Sequence, residues 1–134
     1  MSSKPTSGEI NLDQLLKGMK PILHPDIFVF TTFGEGEKRA DLDPIMMFKE
    51  SEGTTLIITL DTAESAGIPF EFPCRMITLN IHSALDAVGF IAKIASRLAE
   101  LDMGVNPVAG FYHDHLFIPV DSAEDAMMEL SRGS

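Results

Sequence analysis

Residues 76–106 read MITLNIHSALDAVGFIAKIASRLAELDMGVN, and this stretch decides the fold. Residues 76–82 are rich in apolar and β-branched side chains, the composition of a strand. Ser83 and Asp86 follow where an N-cap and capping box would satisfy the first free N–H groups of a helix. Over residues 84–101 a polar stripe of Asp86, Lys93, Arg97 and Glu100 marks one side of an otherwise apolar cylinder. That pattern predicts a half-buried helix, with Gly104 as its C-terminal stop. Residues 105–111 and 116–120 read as two short strands joined through Tyr112, His113, Asp114 and His115. Asp121 and Glu124 then start a last helix. Strand, helix, hairpin and helix with short links imply an α+β sandwich, helices packed on one face of an antiparallel sheet.

The chain repeats itself at an offset of 60 residues: LIITLDTAESA at 56–66 aligns with LFIPVDSAEDA at 116–126. Each copy is an apolar strand running into a helix start, where the Asp is expected to accept from early N–H groups and the Glu to suit the positive helix end. Upstream, Asn11 and Gln14 cap a short helix over 12–19, Pro21 and Pro25 break the chain, and 27–33 is a strand. Residues 34–43 are a polar loop. Residues 44–49 and 54–60 form a hairpin across Ser51, Glu52 and Gly53, Gly67 ends a short helix, and 68–73 is an extended link carrying Phe70 and Phe72 as a buried pair. Two units result, 1–70 and 71–134, each too small to stand well alone and stabilised by sharing a sheet or core. The second lacks a closing strand after its last helix, so residues 8–10 or 69–72 are expected to fill that edge by exchange between the units.

The run from His82 to Gly89, the helix ending Leu98-Ala99-Glu100-Leu101-Asp102, and the following Gly104-Val105-Asn106 resemble the ACT domain, a small ligand-binding regulatory module. The whole chain is similar to stand-alone bacterial proteins built from two such units. The resemblance implies two ferredoxin-like βαββαβ units, a regulatory rather than enzymatic role, and an amino acid bound at the junction of the units. It points to Ser83, Ala84, Leu85, Asp86, Gly89, Val105 and Asn106 as the ligand site, and to a homo-oligomer. One departure stands out: the Asp-x-Pro-Gly turn of many ACT domains is absent, with Gly89 placed a turn inside the helix.

The chemistry is read the same way from the residues alone. Free N–H groups where strand meets helix can hold a carboxylate, and Asp86 can meet an ammonium group, the two ends of an α-amino acid. Capping alone also explains Ser83 and Asp86, and an Asn after Gly is commonly a turn residue, so both readings stay open. A net charge of −10 over 134 residues argues against nucleic acid and anionic membranes, which need a basic footprint. The lone Cys74 excludes a disulfide framework and a cysteine zinc site, and His113-Asp114-His115 lacks the further ligands a metal needs. No catalytic constellation, phosphate loop or cofactor motif is present, so no cofactor is expected. With no apolar run long enough to span a bilayer and no signal-peptide core, a cytoplasmic protein is the simplest expectation. The rival to a metabolite-binding regulator is a structural module whose units serve only to dimerise.

Overall fold

The computed structural model describes residues 17–34, 37, 39–80 and 89–132. Along them run β1 (Lys20–Phe33), β2 (Met46–Glu50), β3 (Gly53–Thr59), α1 (Leu60–Ala66), β4 (Glu71–Asn80), α2 (Phe90–Ala99), β5 (Asn106–Ala109), β6 (Asp114–Pro119) and α3 (Ala123–Ser131). The chain folds as α+β with antiparallel strands and two compact units. One is Pro25–Arg75; the other takes the chain up to His24 together with the chain from Met76 on.

In the unit 25–75 the strand order is β2-β3-β1-β4. The predicted hairpin closes through Ser51 and Glu52, with Glu50 opposite Gly53. Gly53 is demanded by a close approach, since a Cβ there would fall 2.5 Å from the Phe33 carbonyl oxygen. β1 pairs antiparallel with β3 from Phe28↔Thr59 to Phe33↔Thr54, which puts Val29 over Ile58. Both close on α1 in a core of Val29, Leu42, Leu56, Ile58 and Ala63. Thr59 caps α1, accepting from the Thr62 N–H at 3.2 Å. The expected cap, Asp61, already lies inside the first turn, where its backbone is helical and only its charge helps. Phe70 and Phe72 do not pair: Phe70 packs on the α1-side core. Phe72, left-handed at φ 61, turns its ring edge-on to Phe30 with centroids 5.6 Å apart.

In the other unit the order is β1-β4-β6-β5, so the segment closing the edge beside β4 is Lys20–His24 from the start of β1. Of the two segments expected there, residues 8–10 lie outside the described residues and 69–72 lead into β4 itself. Pro21 and Pro25 were expected to break the chain, yet β1 runs through both. Its register with β3 starts only at Phe28, so neither missing N–H is asked for by that ladder. Ile77 and Leu79 of β4, Leu116 and Ile118 of β6, Phe90, Ile94 and Leu98 of α2 and Leu130 of α3 form the core, with Met19 beside them. The α2 residues recur at every fourth position, one stripe of a helix. Phe117, between Leu116 and Ile118 on β6, is buried on the opposite face of the sheet, because successive strand residues alternate. Arg97 ties α2 to α3, its Nη2 donating to the Glu129 carbonyl oxygen at 2.6 Å and its Nε to Glu129 Oε2 at 3.3 Å.

The end of α2 also departs from the sequence reading. α2 finishes through a left-handed Asp102 (φ 65), with the Asp102 N–H bonded to Ala99 O at 2.9 Å and the Met103 N–H to Leu98 O at 3.3 Å. This is the two-bond Schellman pattern, and it places Met103 and Leu98 in the same core. α1 ends alike at Gly67 (φ 67), with the Ile68 N–H bonded to Ala63 O at 3.0 Å. Gly104 therefore lies beyond the cap it was expected to form. A Cβ at Gly67 or at Gly104 would meet nothing within 4 Å, so only backbone conformation separates the two sites. Gly67→Ala is expected to lose about 1 kcal/mol to left-handed strain, and Gly104→Ala to be neutral or slightly stabilising, in urea unfolding. In the same assay Leu98→Ala, which empties a fully buried position, should cost about 2–5 kcal/mol.

Candidate functional site

Of the residues proposed from sequence, Ser83, Ala84, Leu85 and Asp86 lie outside the described residues. Gly89 is the N-cap of α2 and is left-handed, φ 88 and ψ −10, with no side-chain cap bond. It precedes the helix, whereas the sequence reading put it a turn inside; a helical interior does not hold a left-handed residue. Val105 is half-buried against the α2-side core. Asn106 is exposed at the start of β5, opposite Phe117 of β6. Gly89 thus stands at one end of α2, while Val105 and Asn106 follow its other end. The ten helical residues between them span about 15 Å. Within one copy these two parts of the predicted site are not brought together.

Two clefts open elsewhere. In the unit 25–75 a cleft of about 600 Å³ lies past the end of α1, lined by Phe30, Phe33, Phe70, Thr31 and Glu71 among others. Its Thr31 hydroxyl already donates to Pro69 O at 2.8 Å. In the other unit a cleft of about 670 Å³ runs between the turn after α2 and α3, lined by Leu101, Met103, Met127 and Met128 with acidic Glu124 and Asp125. Neither includes Gly89, Val105 or Asn106.

The most highly organised polar group lies on the sheet face away from the helices. Thr78 Oγ1 stands 2.8 Å from His24 Nε2 and 2.9 Å from His115 Nδ1, so one buried hydroxyl bridges imidazoles from β1 and β6. Burial holds the His115 imidazole below its ordinary value, helped by His113 and His24 and opposed by Asp114. Sequence reading drew nothing from His24 or Thr78 and took His113 to His115 as part of the link between two strands. The signal was thin: two histidines 91 positions apart meet only once the strand order is known. The turn itself spans residues 110–113, since Asp114 already pairs with Ala109. Among the described residues no cluster of His, Cys, Asp and Glu has the arrangement to hold a metal ion, and no helix is long and apolar enough to cross a membrane.

ACT-domain sequences match residues 7–75 and again residues 71–132, in tandem. The chain belongs to the ACT-domain family. Among solved structures it is similar to a Vibrio cholerae protein of unknown function described as a possible transport protein. That match has 37% identity and a TM-score of 0.84, over 94% of this chain and 98% of that one. An Agrobacterium tumefaciens protein matches at 16% identity and a TM-score of 0.73, covering 86% and 88%. The ligand-free regulatory subunit of aspartate kinase from Thermus thermophilus, at 12% identity, TM-score 0.61 and coverage of 87% and 99%, shares the fold. No curated protein matches the sequence.

Gly89 is left-handed immediately before α2, and Asp86, Ala87 and Val88, which precede it in the sequence, lie outside the described residues. Cys74, the one thiol, carries no chemistry in this ACT chain. It is fully buried, its Sγ lies 3.4 Å from Phe28 O, and burial pushes its pKa up to about 12. The folded protein should resist thiol reagents at pH 8 and react at full stoichiometry in denaturant, as a colorimetric thiol assay would show.

Proposed function

We propose that this chain is a regulatory, non-catalytic module that binds a small metabolite, an amino acid, using Ser83, Ala84, Leu85, Asp86 and Gly89 before α2 and Val105 with Asn106 at the start of β5. ACT domains are generally regulatory amino-acid-binding modules. The observation that supports the reading is the left-handed Gly89 at the N-terminus of α2, a residue with no side chain to cap the helix, so that a helix start of this kind suits an outside acceptor such as an α-carboxylate. Asp86 then receives the ammonium group, and Asn106 offers both a donor and an acceptor to the ligand's polar end. Because α2 separates Gly89 from Asn106, the proposal includes a homo-oligomer in which a two-fold axis sets Gly89 of one copy near Asn106 of its partner. We place it in the cytoplasm, where such metabolites are made and sensed.

A specific observation favours the rival, a dimerisation module without ligand. β2 ends the strand order of its unit; Met47 and Phe48 on it are 49% and 62% exposed, and Ile45 just before it is 46% exposed. An exposed apolar edge strand invites pairing with another chain. Two measurements separate the readings. A thermal-shift screen over the twenty amino acids should find a ligand that adds about 2.7 kcal/mol at a hundredfold excess over its Kd. Asp86→Ala and Asn106→Ala should each weaken that shift while circular dichroism stays unchanged. No shift with any amino acid, in a protein that sediments as a dimer and becomes monomeric in Phe48→Lys, would leave the rival standing.

A further inference from the structure

The bridge through Thr78 joins three neighbouring strands with a single proton to share. A threonine hydroxyl donates one hydrogen bond and accepts others. With both imidazoles neutral, one ring presents N–H to the Thr78 oxygen while the other offers a lone pair to its proton, and all three groups are satisfied. When both rings are protonated, two N–H groups point at one oxygen. The hydroxyl proton loses its acceptor, and two positive charges face each other across one atom. A half-buried site amplifies both penalties.

We propose that His24, Thr78 and His115 form an acid-sensitive latch that holds the Lys20–His24 end of β1 onto β4 in the C-terminal unit. His24 is the last residue of β1 assigned to that unit, so its bond to Thr78 is a fastening at the end of the closing strand. The surroundings of His115 do little to neutralise a charge on it. On β6, Asp114 beside His115 is the one carboxylate acting on it, and burial pushes that carboxyl toward its neutral form. The turn contributes His113, a third imidazole, whose Nδ1 is buried without a hydrogen-bond partner. β4 places uncharged Met76 and Asn80 on the face of Thr78, and β5 sets Val108 opposite His115. On β1 the same face carries exposed Lys20, of the wrong sign to help, and exposed Asp26, two residues past His24.

The sign follows from linkage. His115 binds its proton less readily folded than unfolded. Its contribution to stability is therefore complete above the ordinary histidine value of about 6.5 and is lost as pH falls below it. Asp114 acts oppositely and at more acid pH, because its folded form takes up a proton more readily. A window from pH 7.5 to 5.5 separates His115 from Asp114.

The test uses the full chain. Imidazole resonances are titrated by NMR, and thermal unfolding is recorded at pH 7.5, 6.5 and 5.5 for wild type, His24→Gln and His115→Gln; the amide keeps a bond to Thr78 but cannot charge. The expected result is a His115 midpoint below the ordinary value and a fall in wild-type Tm of several degrees across the window. Either variant should remove at least half of that fall. A His115 midpoint at or above the ordinary value, or variants that lose as many degrees as wild type, would overturn the latch. Should neither variant fold at pH 7.5, the wild-type titration decides the matter.

Discussion

A strand with apolar residues at consecutive positions cannot leave either face in water. β4 carries Ile77 and Leu79 toward the helices and Met76 and Thr78 the other way, and all four are buried. Desolvating both faces is worth roughly 2 kcal/mol per large apolar side chain, but it obliges every polar group brought along to find a partner. On the helix side the obligation is light, because α2 offers only Phe90, Ile94 and Leu98. On the other side Thr78 must be answered, and it is answered twice, from β1 and from β6. Helix packing, the closing strand and the histidine pair all follow from this double burial.

The internal repeat shows how far one sequence pattern carries. Ten consecutive positions, 56–65 and 116–125, share the same burial classes, among them the fully buried Ala63 and Ala123. Divergence begins where single residues differ in what they donate or permit. Thr59 supplies a capping hydroxyl; its counterpart Pro119 has none, and the second copy enters its helix through a 3₁₀ turn without a side-chain cap. Gly67 allows the left-handed stop that ends α1, whereas α3 continues past the equivalent point to Ser131 and buries Ala126 and Leu130. The longer helix supplies Glu129 to Arg97, a tie that α1 is too short to have.

The features around the proposed ligand site have a different character from the core. Gly89 and Asn106 lie beyond opposite ends of α2, and neither packs in the core cluster. Such positions contribute little to folding and are free to serve recognition. Acidic composition bears on partners rather than fold: a charge of −10 repels phosphate and favours small zwitterionic or cationic ligands.

The sequence by itself determined the α+β class, the tandem ACT units, the β2–β3 hairpin, the Gly67 stop and the apolar stripe of α2. Each of these rests on periodicity or turn chemistry within a few residues, which local physics specifies. Tertiary structure decided the rest. Pro21 and Pro25 read as breakers until strand order showed that β3 does not pair there. Gly89 and Gly104 were ambiguous because glycine announces a special backbone angle without saying which, and only the left-handed φ at 89 and its absence at 104 separated helix start from linker. The face that Phe117 takes was not legible, because a strand's phase cannot be read until its first residue is known. The meeting of His24, Thr78 and His115 lay beyond sequence altogether, since it depends on three strands distant in the chain lying side by side.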